Sequence, residues 1–209
     1  MEILLYVLAA LTAYLVAGWN PAITFSKAVY KKDIRTCGSG NPGFTNFRRT
    51  FGNKLAWWVL ALDLSKAAVV VVLYACLFTK YTIGAFSLGA AYTGVFAMLG
   101  HAFPVWYRFK GGKGFLVCMS IAWVMDWRVG LFAFLLMTAL LLTTKYMSLS
   151  TVVAMLCAIA VFAVHKMPTV ALCLYAACAV FMAVRHVENF KRLAKGKESK
   201  FYLFGKKKA

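Results

Sequence analysis

Three short segments hold most of the side chains in this sequence that could handle an anion. The first is GSGNPGFTNFRR, residues 38–49. Gly38, Gly40, Gly43 and Pro42 cannot continue a helix, so a loop with close backbone approach is expected here. Ser39, Thr45 and Asn46 can hydrogen-bond, Arg49 can clamp an anion through two parallel N–H groups, and Gly40 and Asn41 are candidate contacts beside them. A plain connector needs neither the small polar groups nor the paired arginines. The second is Gly100-His101-Ala102-Phe103-Pro104 followed by FKGGKGF, residues 109–115, just before an apolar run. A glycine loop that feeds a helix N-terminus presents unpaired N–H groups and the positive end of a dipole to an anion. Lys110 and Lys113 would add charge, Gly111, Gly112 and Gly114 close backbone approach, and His101 a polar group. This is not a Walker A loop, because Gly114 follows Lys113 where Ser or Thr is required. A positively charged anchor with a flexible turn is the competing reading. The third segment is HVENFKRL, residues 186–193, with His186 and Asn189 as candidates; a histidine at a membrane boundary also serves as a packing group.

Other chemistries lack their residues. There is no GxSxG elbow, and the residues five beyond His101, His165 and His186 are Trp106, Val170 and Lys191, so no His-x4-Asp signature exists. Asp33, Glu188 and Glu198, with Asp63 deeper, are too few and too scattered for a serine-histidine relay or a carboxylate pair. The inventory suits a substrate that already carries a good leaving group, so that positioning and charge stabilisation suffice.

These segments must be held by apolar elements. The chain has 209 residues, of which 63% are hydrophobic and 14% charged, with a formal charge of +18. A soluble domain is usually about 45–50% apolar, so the composition implies an all-α polytopic membrane protein. Seven spans are expected, near 2–19, 55–79, 83–107, 114–125, 129–144, 147–164 and 168–185. The first lacks the basic start of a secretory signal. A single helix over 114–144 would run about 46 Å and carry Asp126, Trp127 and Arg128 through the membrane, so a sharp turn is expected there. Asn20-Pro21 should break or kink the end of the first span.

With seven spans, twenty of the 24 Lys and Arg residues fall on one side: in 27–54, in 108–113, at Lys145 and in the tail. Only Lys80, Arg128 and Lys166 fall on the other. Positive charge marks the cytoplasmic side, which places the N-terminus outside and the C-terminus inside. The whole chain, 1–209, reads as one transmembrane unit whose residues 186–209 form a basic tail, and Lys206-Lys207-Lys208 suit anionic headgroups. Asp63 and Lys66, three apart, share a helix face and serve either as a structural pair or in a site. The six cysteines show no metal or CxxC spacing; five lie in apolar runs, and neither a disulfide nor a metal site is expected.

SGNPGFTNFRRTFG, GHAFPVWYRFKGGKGF and HVENFKRL, in that order, resemble the three motifs of the bacterial acyl-phosphate:glycerol-3-phosphate acyltransferase family. DIR at 33–35 and DLSK at 63–66 resemble its flanking segments. The resemblance implies transfer of an acyl group from acyl phosphate to the 1-hydroxyl of glycerol 3-phosphate, giving lysophosphatidic acid and phosphate, the first step of phospholipid synthesis. It also implies seven spans with the amino end outside, and no cofactor, metal, acyl-CoA or covalent enzyme intermediate. The expected partners are the two substrates and the bilayer, with no nucleic acid; nothing sets an oligomeric state. By resemblance Ser39, Thr45 and Arg49 take part in binding and catalysis. Lys110, Gly111, Gly112 and Lys113 hold the acceptor's phosphate, His186 and Asn189 are active, and Glu188 is structural. Phe44 stands where the family usually has a small residue, and Asn20-Pro21-Ala22 near a usual Gly-Ser-x-Pro. A small organic-phosphate transporter is the rival reading; it requires charge continuing through several spans. A lipid-binding scaffold is a third.

Overall fold

A computed structural model describes residues 2–81 and 86–203; the start of the span expected at 83 and the Lys206-Lys207-Lys208 cluster lie outside them. The described residues form ten α-helices and no strand: α1 (Glu2–Gly18), α2 (Pro21–Tyr30), α3 (Phe44–Phe51), α4 (Ala56–Tyr81), α5 (Phe86–Ala102), α6 (Phe115–Met125), α7 (Trp127–Thr144), α8 (Met147–Val164), α9 (Thr169–Val184) and α10 (Val187–Ala194).

Helix α1 shows how the bundle is built. Ala9, Ala13 and Ala17 recur every four residues and are fully buried, while Ile3, Leu4, Val7, Leu8 and Leu11 face outward. An apolar outer face is costly in water and natural in lipid. Inside, small residues let helices meet closely, as in membrane bundles generally. At Gly100 of α5 a methyl group would lie 2.1 Å from the carbonyl oxygen of Tyr14, so only glycine permits the α1–α5 contact. Gly94 gives the same clearance to Ile121 of α6.

Among the described residues, five helical stretches are long and apolar enough to cross a bilayer, counting α1 with α2, and six if α9 and α10, bent by 48°, form one span. Helix α6 has eleven residues, about 16 Å against a hydrocarbon core of ~30 Å. It is therefore a half-length member of the bundle. The turn expected near 126 is present. Asp126 caps α7 by accepting from the Arg128 N–H at 2.9 Å, and its carboxylate also holds Arg128 at 2.8 Å and His165 at 2.9 Å.

Three short helices were not expected. Asn20-Pro21 does more than interrupt α1. The Asn20 side chain accepts from the Ile23 N–H at 2.9 Å and Pro21 takes the first helical position, where its missing N–H costs nothing. The segment 38–49 is loop only as far as Gly43; Phe44, Phe47 and the half-buried Phe51 then fall on one face of α3, packed against Tyr30 and α4. The tail beyond 186 is not a free arm through its described length. Helix α10 is followed by a strap that returns to the bundle, where the Phe201 N–H donates to the Lys145 carbonyl at 2.7 Å. Phe201 also packs beside Phe44, and Arg48 lies over its ring and donates to the Leu203 carbonyl at 3.1 Å.

Candidate active site

The loop before α3, α3 itself, α10 and the strap gather at one end of the bundle around a cavity of about 470 Å³. Its lining combines Ser39, Asn41, Thr45, Asn46 and Arg49 with Lys113, with His186 and Asn189, and with Ser148, Arg192 and Glu198. So side chains from all three polar segments, 150 residues apart at the extremes, share one space.

The first segment is shaped by Asn46. Its Oδ1 accepts from the Ser39 N–H at 2.9 Å and its Nδ2 donates to the Cys37 carbonyl at 2.9 Å. Gly38 adopts φ +56°, and a methyl group there would lie 2.3 Å from Asn46 Oδ1, so both the angle and the space demand glycine. The loop is anchored from below by Asn20, whose Nδ2 donates to the Pro42 carbonyl at 3.0 Å. Among the described residues the hydroxyls of Ser39 and Thr45 and the guanidinium of Arg49 have no protein partner.

From the second segment, Lys113 enters the cavity and hydrogen-bonds Asn189 Oδ1. Burial, reinforced by the charge of Arg192, lowers its ammonium to about 8. From the third segment, His186 donates Nδ1–H to the Met182 carbonyl at 2.8 Å, which leaves Nε2 as an acceptor. Burial lowers its pKa to about 4, so the ring is neutral at pH 7. Asn189 donates from Nδ2 to Glu198 Oε1 at 2.6 Å. Glu198 also accepts from Ser148 Oγ at 3.0 Å and Arg192 Nε at 2.8 Å. Burial alone would raise its carboxyl; the bonds from Asn189, Arg192 and Ser148 outweigh burial and hold it ionised. Three cations, Arg49, Lys113 and Arg192, thus face one carboxylate, and the cavity carries net positive charge.

Several candidates are placed elsewhere. The glycine loop does not offer free N–H groups at Gly111 and Gly112: these donate to the Ala102 and His101 carbonyls at 3.1 Å each. Both residues are glycine for packing, since added methyl groups would lie 2.0 Å from His101 O and 2.2 Å from His101 Nε2. Gly114, at φ +91° against Met98, is also outside the lining, as are Gly40 and the exposed Lys110. His101 is buried below the loop, where its Nδ1 lies 3.3 Å from Lys66 Nζ and 3.5 Å from Asp63 Oδ1. Asp63 and Lys66 pair at 2.8 Å, and Lys66 also donates to the Trp19 carbonyl at 2.5 Å. Glu188 is exposed and pairs with Lys191 at 2.7 Å. No group of His, Cys, Asp and Glu among the described residues could hold a metal.

Sequence reasoning missed Ser148, Arg192 and Glu198 as members of the site. Ser148 sits in an ordinary apolar helix and gives no signal. Glu198 did give one, as one of few carboxylates on the charged side, set among tail lysines.

Comparisons with known proteins show the family and the fold of the chain. The family profile described as "Glycerol-3-phosphate acyltransferase" matches residues 7–196. A protein of that name from Thermoanaerobacter sp. (strain X514) is 34% identical over 194 residues, 93% of this chain and 94% of its own. The crystal structure of PlsY (YgiH), an integral membrane glycerol 3-phosphate acyltransferase, in its glycerol 3-phosphate form, superposes with a TM-score of 0.86. It is 29% identical and covers 94% of this chain and 96% of the other. The lysophosphatidic acid form gives a TM-score of 0.82 at 28% identity.

Proposed function

Because the chain belongs to the glycerol-3-phosphate acyltransferase family, we propose that it transfers a fatty acyl group from acyl phosphate to the 1-hydroxyl of glycerol 3-phosphate. The oxygen of that hydroxyl bonds to the acyl carbon, the carbon–oxygen bond to the donor phosphate breaks, and lysophosphatidic acid and inorganic phosphate leave. The setting is the cytoplasmic face of a bacterial cytoplasmic membrane. Seven spans, with the short α6 as one of them, put the amino end outside and the cavity inside, as the distribution of lysine and arginine favours.

The observation that carries the reading is the single cavity shared by Ser39, Arg49, Lys113, His186 and Asn189. Both substrates are anions and repel each other, so a catalyst must supply fixed positive charge around them. Arg49 and Lys113 provide it, with Ser39 and Thr45 as unpartnered hydroxyls to bind phosphate oxygens. Arg192 is already engaged by Glu198, which leaves Arg49 and Lys113 as the lining cations with no carboxylate partner among the described residues.

The hydroxyl proton must go to a base. His186 offers Nε2, but a histidine lowered to about 4 is a weaker base than usual by about 3 kcal/mol. The phosphate of the donor is the better acceptor, and His186 then serves to orient the hydroxyl by accepting its hydrogen bond. No metal, cofactor or covalent enzyme intermediate enters this scheme.

The test is phosphate release by the purified protein from acyl phosphate. Release that depends on glycerol 3-phosphate and yields lysophosphatidic acid supports the proposal. Release with no dependence on the acceptor refutes it.

A further inference from the structure

Two arginines that never reach the cavity hold the loop that delivers Lys113. We infer that Arg185 and Arg35 are positioning residues: they bracket the backbone of residues 103–114 from two sides and so set where the Lys113 ammonium stands. The role rests on the substrate reading above only in what Lys113 then binds.

The loop's N–H groups at Gly111 and Gly112 are anchored downward on the end of α5, which turns its carbonyls outward and leaves them needing donors. Arg185 meets two of them as a fork, with Nε donating to Gly112 O at 3.0 Å and Nη2 to Gly111 O at 3.5 Å. Its plane is fixed by aromatic neighbours, its guanidinium carbon lying 5.1 Å from the Phe103 ring centre and 5.9 Å from that of Phe181. Arg35 meets the other half of the loop, with Nη1 donating to Tyr107 O at 2.8 Å and Lys110 O at 3.4 Å. Asp33 holds it in place through Nε at 3.0 Å and Nη2 at 2.7 Å.

Each bracket is tied to a wall of the cavity. Arg185 is the residue before His186. Arg35 sits in the turn Ile34–Thr36, whose Ile34 carbonyl accepts from Asn46 at 3.4 Å. The loop is therefore referenced to the first and third segments at once, and Gly112, gripped by Arg185, is the residue before Lys113. Arg185 also repels the Lys113 ammonium. An arginine kept so close against that repulsion does its work through shape, by a planar fork that a lysine cannot reproduce.

The experiment uses the full chain in detergent or nanodiscs, with the variants Arg185→Met, Arg185→Lys, Arg35→Met, Lys113→Met and the double variant Arg185→Met/Lys113→Met. Folded fraction is followed by thermal unfolding, and KM and kcat are normalised to it. Arg185→Met is expected to raise KM for glycerol 3-phosphate about tenfold, the scale of one charge-assisted hydrogen bond, with KM for acyl phosphate little changed. Arg35→Met, farther from Lys113, gives a smaller rise, and Arg185→Lys recovers part of the loss. In the Lys113→Met background Arg185→Met adds less than twofold, because it acts through a side chain already removed. Penalties that multiply in full overturn the inference, as does a loss explained wholly by unfolded protein.

A second measurement needs no turnover. Reductive methylation of Lys113, read by peptide mass, should be several-fold faster in Arg185→Met than in the unchanged protein. Equal rates overturn the positioning role. Absence of acyl transfer with altered methylation would instead sink the proposed reaction and leave the bracket standing.

Discussion

Two polar clusters in this bundle use similar residues to opposite ends. In the first, Asp63, Lys66 and His101 are each no more than 7% exposed and lie within 3.5 Å of one another, with the Trp19 carbonyl completing the lysine's shell. In the second, Lys113, Asn189, Glu198 and Arg192 are chained in the same way, but they front an open volume that also contains Arg49 and the unpartnered Ser39 and Thr45 hydroxyls. A cluster whose charges are matched and sealed is scaffolding, because it has nothing left to offer a ligand. A cluster with surplus positive charge and space beside it is a site. The residue types alone do not separate the two cases; the balance of charge and the open space beside it do.

The largest effect should come from removing the surplus. Lys113→Met or Arg49→Ala is expected to lower kcat/KM by about 10²–10³ with little change in unfolding temperature, measured by acceptor-dependent phosphate release. Near-normal turnover in either would erase the distinction between the clusters. Next comes the sealed cluster. Asp63→Ala strands a buried lysine and should cost about 3–5 kcal/mol of stability, while activity per folded molecule stays near normal. Unfolding in detergent read beside normalised turnover checks both halves.

A smaller effect follows from pH. Lys113 is lowered to about 8, so it carries its proton below that pH and loses it above. KM for the anionic acceptor should therefore rise as pH passes through 8, two units before an ordinary lysine titrates, and Lys113→Arg should flatten the rise. The smallest effects belong to charges near the motifs but off the cavity. Lys110→Ala and Glu188→Gln should each change kcat/KM by no more than about twofold, since the loop holds the Lys110 backbone rather than its side chain and the Glu188 pair is exposed. A hundredfold loss in Lys110→Ala would return the whole glycine loop to the list of ligand contacts.

Hydropathy located the long helices well. Helix α4 runs over Ala56–Tyr81 where 55–79 was expected, and α8 over Met147–Val164 where 147–164 was expected. The cost of charge in lipid also found the turn at Asp126. Helices α2, α3 and α10 escaped because each is eight to ten residues long and two begin beside Gly or Pro, where loop signals and N-terminal helix signals coincide. At the site, residue type and order pointed to Ser39, Arg49, Lys113, His186 and Asn189, all of which reach the cavity. Closeness along the chain misled for His101 and Gly112. Spacing says that a glycine loop is tight, but it cannot say whether the tightness serves a ligand or the helix end beneath. Glu198 stood out as a carboxylate among tail lysines, but only the fold shows that the strap turns it inward.

That strap has a consequence for how the molecule comes into being. Glu198 and Phe201 emerge from the ribosome after helices α1 to α10 have been made, and they bolt Ser148, Asn189 and the first polar segment together. The cavity is thus closed by a wall that is made after the ten helices around it. A nascent chain still being threaded into the bilayer has its cations but not the piece that aligns them, and activity should switch on only once synthesis has passed that point.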